Sequence, residues 1–392
     1  MPATTASRLA LSQLAPAAVQ SEIRAMSMAS DQIGGINLAQ GVCDTPVPPV
    51  VEAEALAAIH AGYNIYTRLD GIGRLRNAIA AKQLRDYGLT YDPESEILVS
   101  SGATGGFHAA VMALLNPGDE VMLFEPFYGY HVSTLQSLRI APVLVPLTEP
   151  DFTLDTAALR AAITPKTRAL VLNTPANPSG KVFDFAELEA IASIVQEHDL
   201  FLITDEIYEY FVYDGVRHIS PATLPGMKER TIVISGFSKT FSVTGWRLGY
   251  VTAHARWVPA MAYFHDLTYV CAPSPFQHAA AAGLEQLPPS FYTRLAADHQ
   301  SKRARLMSAL TDAGLTPTVP AGAYYVLADA SSLPGKTSAE KARQLLAATG
   351  VASVAGSAFF RPGHGENLLR FCFAKKDEDL DEACARLRSY RV

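Results

Sequence analysis

From about residue 97 to residue 250 the sequence alternates short apolar runs with stretches of helical period, and few folds accommodate that rhythm. Seven runs read as strands: 97–100, 120–124, 143–145, 169–172, 200–204, 231–234 and 248–252. Helical patterns at 107–115, 156–163 and 185–198 lie between them. The alternation predicts an α/β architecture, a mainly parallel sheet whose crossover helices cover both faces.

After about residue 284 the texture changes. Long helical patterns at 290–313, 338–349 and 377–391 bracket strand-like runs at 323–328 and 368–373. They predict a second, smaller α+β domain around a mostly antiparallel sheet, in keeping with a chain of 392 residues, too long for one growing core. Hydrophobic residues at 49% and charged residues at 18% describe a globular protein. The net charge of −6, without a block of like charge, argues against a nucleic-acid or acidic-membrane surface. Cys43, Cys271, Cys372 and Cys384 are scattered and form no CxxC pair, as for reduced thiols with no disulfide framework or zinc site. The first residues lack the basic-then-apolar layout of a secretory signal, and no uncharged apolar run approaches the roughly 18 residues that span a bilayer. A cytoplasmic protein is expected.

Open α/β sheets bind ligands outside the carboxyl ends of their strands, so the residues following each run matter most. After 231–234 comes Ser235-Gly-Phe-Ser-Lys239-Thr-Phe-Ser-Val-Thr-Gly-Trp-Arg247-Leu-Gly-Tyr250. A lysine held among apolar and small residues has a depressed pKa, so more of it is the free amine that attacks a carbonyl. Arg247 can hold a phosphate through its fork of donors. Amine and phosphate clamp together suit pyridoxal 5'-phosphate held as a Schiff base. The bland alternative is a surface lysine in a Ser/Thr-rich loop.

After 200–204 come Asp205, Glu206 and Tyr208. A carboxylate ending an apolar strand needs a partner, either a protonated pyridine nitrogen or the N–H groups of a helix it caps. After 169–172, the loop Asn173-Thr-Pro-Ala-Asn177-Pro-Ser-Gly180 is stiffened by proline and turned by glycine; it either presents the Asn177 amide or is an Asn-Pro turn. After 97–100, Ser101-Gly-Ala-Thr-Gly-Gly106 opens a helix expected near residue 107, as a phosphate cradle or as a plain turn. After 120–124, Glu125-Pro-Phe-Tyr128-Gly-Tyr130 offers aromatics that are ordinarily core. Arg370 lies in an otherwise buried strand and wants a carboxylate, from a substrate or from an internal salt bridge. Gly71-Ile-Gly73 lacks a preceding strand and a third glycine, so it is no dinucleotide fingerprint.

In combination these segments resemble the class I/II aminotransferases, the fold-type I pyridoxal-phosphate enzymes, over about residues 35–391. Ala39-Gln-Gly41, Pro320-Ala-Gly-Ala-Tyr-Tyr-Val-Leu-Ala-Asp329 and Arg370-Phe-Cys-Phe-Ala-Lys375 look most like the kynurenine/glutamine–oxoglutarate and methionine aminotransferase branch. The resemblance implies a large cofactor-binding domain over 46–284 and a small domain over 285–392, joined by an N-terminal segment 1–45. Lys239 would be the Schiff-base lysine and general acid/base. Arg247, Ser238 and the amides of Ala103 and Thr104 would hold the phosphate. Asp205 would face the ring nitrogen, Tyr208 and Asn177 the phenolic oxygen, and Tyr128 the ring face. Gly41, Asn177 and Arg370 would take the substrate carboxylate. Tyr66, in Ile65-Tyr66-Thr-Arg-Leu-Asp-Gly71, would reach the neighbouring subunit's phosphate, implying a homodimer with shared sites; the alternative is that it packs on its own domain.

The sequence also departs from that pattern. Gly236 stands three residues before the lysine, where the family often has a serine or threonine, leaving Ser235 or Ser238 to supply a hydroxyl. Cys271 stands where the kynurenine enzymes carry a histidine. No second arginine is identifiable for a distal carboxylate. The expected activity is ping-pong transfer of an amino group from an L-amino acid to a 2-oxo acid, with 2-oxoglutarate as one acceptor. Its rivals are a cysteine-conjugate β-lyase, an aspartate-type aminotransferase, and a ligand-binding regulator. The last lacks room for a DNA-binding domain in the about forty residues before the fold.

Overall fold

In the computed structural model, which describes residues 12, 14 and 21–390, each apolar run becomes a strand of one seven-stranded sheet. The rest of the expected N-terminal segment, residues 1–11, 13 and 15–20, lies outside the described residues, as do 391 and 392. The strands run in the order Ile97–Ser100, Gly249–Thr252, Thr231–Gly236, Phe201–Asp205, Thr167–Asn173, Glu120–Glu125, Ala141–Pro146. All are parallel except Gly249–Thr252, which is antiparallel to both neighbours. It follows Thr231–Gly236 without a crossover helix, so the connection 237–248 stays at the carboxyl edge of the sheet. That connection carries Lys239 and Arg247.

Burial follows the pleat. Leu98, Val121, Leu123, Val171, Ile203 and Ile232 pack with residues of the helices Gly102–Leu114 and Val258–Tyr269. Met122, Phe124, Leu170, Leu172 and Leu202 face the other way, into a cluster with Leu188, Ile191 and Val195 of Phe185–Glu197. Both faces are covered, so side chains of both parities had to be apolar. The helix Phe185–Glu197 is started by a capping box: Asp184 accepts from the Glu187 N–H at 2.8 Å, and Glu187 accepts from the Asp184 N–H at 3.1 Å.

One boundary corrects the expectation. The helix expected near residue 107 begins at Gly102. Glycine lowers helix propensity by about 1 kcal/mol per residue, which hid this turn from the sequence. Packing overrides it: a Cβ at Gly106 would meet Val251 Cγ2 at 2.8 Å and Ser100 Oγ at 3.0 Å, so the glycine lets the helix lie down on the sheet.

A second sheet runs Val354–Ala355, Leu368–Cys372, Tyr325–Asp329, Thr316–Pro317, antiparallel throughout. The helices Pro289–Asp312, Ser338–Thr349 and Asp377–Ser389 pack around it. Ile36–Asn37 pairs in parallel with Val351–Ala352, and the segment after it, 38–45, runs across the carboxyl edge of the large sheet.

Behind that edge lies a buried ion pair. Lys82, on the helix Gly73–Tyr87, bonds Glu209, which also accepts from the Tyr87 hydroxyl and, at 2.9 Å, from Ser235 Oγ. Burial is the largest single influence and works against the Lys82 charge, but Glu209, Tyr250 and Asp86 together more than offset it, so the ammonium is held above its ordinary pKa.

Candidate active site

A cavity of about 270 Å³ opens outside the carboxyl ends of the strands. Gly41, Ala103, Thr104, Tyr128, Asn177, Asp205, Tyr208, Ser238, Lys239, Arg247 and Arg370 all line it. Of the residues to which the resemblance gives a site role, Tyr66 is the one that does not. It stands 78% exposed, beside the equally exposed Ile65, and the next residue, Thr67, meets Cys271 Sγ through its N–H at 3.5 Å.

Lys239 is enclosed by protein yet keeps contact with the cavity. Its Nζ donates to the Gly41 carbonyl at 3.0 Å and stands 5.7 Å from the Tyr324 ring centroid and 6.0 Å from that of Tyr208. Burial lowers its pKa to about 8; Arg247 pushes the same way, against Cys372, Cys43 and Asp205. About a tenth of it is then free amine at pH 7, against roughly three parts in ten thousand for an exposed lysine. The covering segment is fastened to the Lys239 connection: Thr45 Oγ1 lies 2.7 Å from Ser242 Oγ, and Cys43 Sγ lies 3.1 Å from Thr45 Oγ1.

Asp205 ends its strand buried, with Oδ1 accepting from the Ile207 N–H at 3.2 Å. A turn follows rather than a helix, so it caps none. Its Oδ2 lies 3.1 Å from His131 Nε2. His131 escaped the sequence reading although it lies one helical turn beyond Tyr128, a spacing that brings two side chains together. Asn173 fixes the neighbouring loop, donating to the Asp205 carbonyl at 3.0 Å and accepting from the Asn177 N–H at 2.7 Å.

Arg370 is almost wholly buried. It donates to Asn177 Oδ1 at 2.8 Å and to the Ala39 carbonyl at 2.6 Å, between the rings of Tyr325 and Phe359. Among the described residues it pairs with no carboxylate, and its Nε has no partner. The internal salt bridge is therefore not formed, and a buried guanidinium without a counter-charge is costly until an anion joins it.

At the far end, Arg247 takes a left-handed φ of +52° and donates to the Thr244 carbonyl at 3.1 Å. Gly102, at φ +73°, lies so close that a Cβ there would come 2.6 Å from Arg247 Nη2. The guanidinium thus rests on the positive end of the helix Gly102–Leu114. Two positive ends side by side favour an anion between them. Of the two candidate hydroxyls, Ser238 lines the cavity, whereas Ser235 is turned back to Glu209. Gly236 has no room for a side chain, since a Cβ would come 2.9 Å from Gly249 Cα and 3.0 Å from the Leu248 carbonyl oxygen. An anion site, a free amine, an aromatic wall at Tyr128 and a buried carboxylate share one cavity, and this donor set fits pyridoxal 5'-phosphate.

The family model for aminotransferase class I and II matches residues 33–387. The chain is 40% identical over 375 residues to a probable N-succinyldiaminopimelate aminotransferase of Mycobacterium tuberculosis, covering 92% of this chain and 94% of that one. It is 35% identical over 378 residues to kynurenine–oxoglutarate transaminase 3 of Mus musculus, covering 89% and 83%. The solved structure of YbdL from Escherichia coli, described with a methionine aminotransferase function, superposes with a TM-score of 0.93 at 32% identity, over 98% of this chain and all of that one.

Proposed function

The chain belongs to the class I and II aminotransferases, fold-type I transferases that use pyridoxal 5'-phosphate, and on that premise we propose that it moves an amino group from an uncharged L-amino acid to a 2-oxo acid, with 2-oxoglutarate as one acceptor. The carrying observation is that Lys239, Asp205, Arg247 and Arg370 converge on one cavity. Bound there, the cofactor would supply the carbonyl that joins an amine and the ring that draws electrons from the substrate Cα.

This chain's residues do the rest. Arg247, Ser238 and the amides of Ala103 and Thr104 would hold the phosphate. Asp205, fixed by His131, would keep the ring nitrogen protonated, while Tyr208 and Asn177 would serve the ring oxygen and Tyr128 the ring face. The Lys239 amine holds the cofactor and, once free, takes the proton from the substrate Cα and returns it as general acid/base. Arg370, with Asn177 and the Gly41 backbone, orients the substrate carboxylate. The same chemistry run with a 2-oxo acid restores the starting state, in a ping-pong cycle.

Among the described residues, the lysines and arginines lining the cavity are Lys239, Arg247 and Arg370, each already assigned. Ile23, Gln40, Tyr130 and Thr134 line it too and carry no charge, which supports an uncharged side chain in the donor. The exposed Ile65, Tyr66, Leu267 and Tyr269 support a homodimer in which Tyr66 completes the partner's phosphate site. We assign 46–284 to a large domain and 285–392, with the N-terminal 1–45, to a small one.

The test is a panel of methionine, glutamine, phenylalanine, kynurenine and aspartate as donors to 2-oxoglutarate. Uncharged donors are expected to exceed aspartate by at least about tenfold in kcat/KM. Aspartate as the best donor would transfer the assignment to an aspartate-type enzyme. Steady pyruvate release from a cysteine conjugate, indifferent to added 2-oxo acid, would replace transfer with β-elimination.

A further inference from the structure

Tyr325 opens the strand Tyr325–Asp329, two residues before Leu327, which sits directly across the ladder from Arg370. Alternate residues of a strand share a face, so its ring comes to lie over the Arg370 guanidinium, 4.3 Å from guanidinium carbon to ring centroid. Phe359 closes the other side at 4.7 Å. At the far end of the same ring, the Tyr325 hydroxyl stands 2.9 Å from the Tyr208 hydroxyl. Gly41 completes the enclosure. A Cβ there would fall 1.8 Å from the Tyr325 oxygen, so this phenol can occupy its place only because residue 41 has no side chain. The Gly41 carbonyl in turn accepts from Lys239 and from the Tyr324 hydroxyl, each at 3.0 Å.

One side chain thus touches both the arginine assigned to the substrate carboxylate and the tyrosine assigned to the cofactor's ring oxygen. We propose that Tyr325 is a positioning residue for both: its ring fixes the plane of Arg370, and its hydroxyl sets the direction in which Tyr208 donates. The inference rests on the roles given above to Arg370 and Tyr208. A phenol has a single proton to donate. For Tyr208 to spend it on the ring oxygen, the bond between the two phenols must run from Tyr325 to Tyr208. A hydroxyl that accepts a hydrogen bond donates a stronger one.

Burial pushes the Tyr208 phenol well above its ordinary pKa and that of Tyr325 up to about 12, so both keep their protons over the working range. The stronger donor favours the negative form of the ring oxygen, and the Tyr325 hydroxyl thereby lowers the pH at which the loaded enzyme changes its visible absorbance. Tyr128, Asp205, Lys239, Tyr324, Arg370 and Cys372 are the other titratable groups around the pair. All remain in Tyr325→Phe, so a shift in that variant reports the hydroxyl alone.

The experiment titrates the visible absorbance of the pyridoxal-phosphate-loaded wild type, Tyr325→Phe and Tyr325→Leu, and measures KM for an amino donor on each. Both variants are expected to raise the midpoint by about half a pH unit, roughly a threefold change in proton affinity. Only Tyr325→Leu, which strips the ring from Arg370, is expected to raise KM, by about tenfold. A Tyr325→Phe midpoint within about 0.1 unit of a titrating wild type overturns the hydroxyl's role. An unchanged KM in folded Tyr325→Leu overturns the ring's role. Should Tyr325→Leu not fold, Tyr325→Met takes its place for the ring, and Tyr325→Phe still decides the hydroxyl's role. A wild type that gains no visible band with pyridoxal phosphate overturns the cofactor reading, and the Tyr325 role with it; a visible band that titrates in neither wild type nor Tyr325→Phe overturns the hydroxyl's role.

Discussion

Two lysines enclosed by protein, one fully buried and one open to the cavity, sit on opposite sides of one strand end and behave in opposite ways. Lys82 faces Glu209, and that carboxylate, helped by the phenols around it, holds its proton on. Lys239 faces a neutral carbonyl and a nearby arginine, and its pKa falls to about 8. Burial is common to both, so it is the counter-charge that separates a structural cation from a nucleophile. The strand Thr231–Gly236 serves both: Ser235 looks back to Glu209, while Ser238, three residues on, looks into the cavity.

The widest test of the contrast is to delete each lysine. Lys239→Ala is expected to cut amino transfer by at least about 10³-fold and to abolish the cofactor's visible band, with no loss of thermal stability. Turnover within tenfold of wild type would remove Lys239 from the chemistry. Lys82→Ala leaves Glu209 buried without a counter-charge, and urea unfolding should show a loss of about 3–5 kcal/mol. Replacing both partners, as Lys82→Met with Glu209→Leu, should recover most of that loss, because the pair is dispensable where a lone buried charge is not. A single-variant cost below about 1 kcal/mol would show the pair to be loosely held.

A smaller effect separates the two lysines by pH. Since the Lys239 pKa is lowered in the fold, its free-amine fraction grows as pH rises through about 8. Cofactor capture by the cofactor-free protein should therefore quicken about tenfold from pH 7 to pH 9 in stopped-flow absorbance. Stability follows the same sign: the unfolded lysine binds the proton more tightly, so the cofactor-free fold gains stability as pH climbs from about 8 toward the ordinary lysine range. A flat capture rate over that range would contradict the lowered pKa. The smallest effect distinguishes the serines. Ser238→Ala should weaken cofactor retention about fivefold, and Ser235→Ala less than twofold while costing about 1 kcal/mol of stability. The reverse ranking would mean that the back-facing hydroxyl holds the phosphate.

The strands of the large sheet were legible because apolar runs such as 169–172 and 231–234 must be buried on both faces, and the structure buries them so. The direction of Gly249–Thr252 was not, since an apolar run reads alike either way. The helix start at Gly102 was hidden by its glycines, which pack well but propagate poorly. Residues with unusual chemistry after a strand, such as Lys239, Asp205 and Asn177, could be read from position alone. His131 and Tyr325 act through partners remote in sequence, and within a helix or a strand each looks like ordinary packing. The orientation of Ser235 also had to await the register that sets it opposite Tyr250.

The contact of Gly236 with Gly249 limits how this chain can change. A Cβ at 249 would strike the Ala103 nitrogen at 2.5 Å and the Gly102 carbonyl carbon at 2.6 Å, just as one at 236 would strike Gly249 itself. These obstacles are backbone, which cannot rotate aside as a side chain can. A serine restored at 236 would have to pry apart two strands and, through them, shift the helix start whose amides are assigned to the phosphate. No single substitution recovers that hydroxyl without loosening the cradle it would serve. A combinatorial library for altered cofactor affinity should therefore hold 236 and 249 fixed as one unit and spend its diversity at 238 and 104.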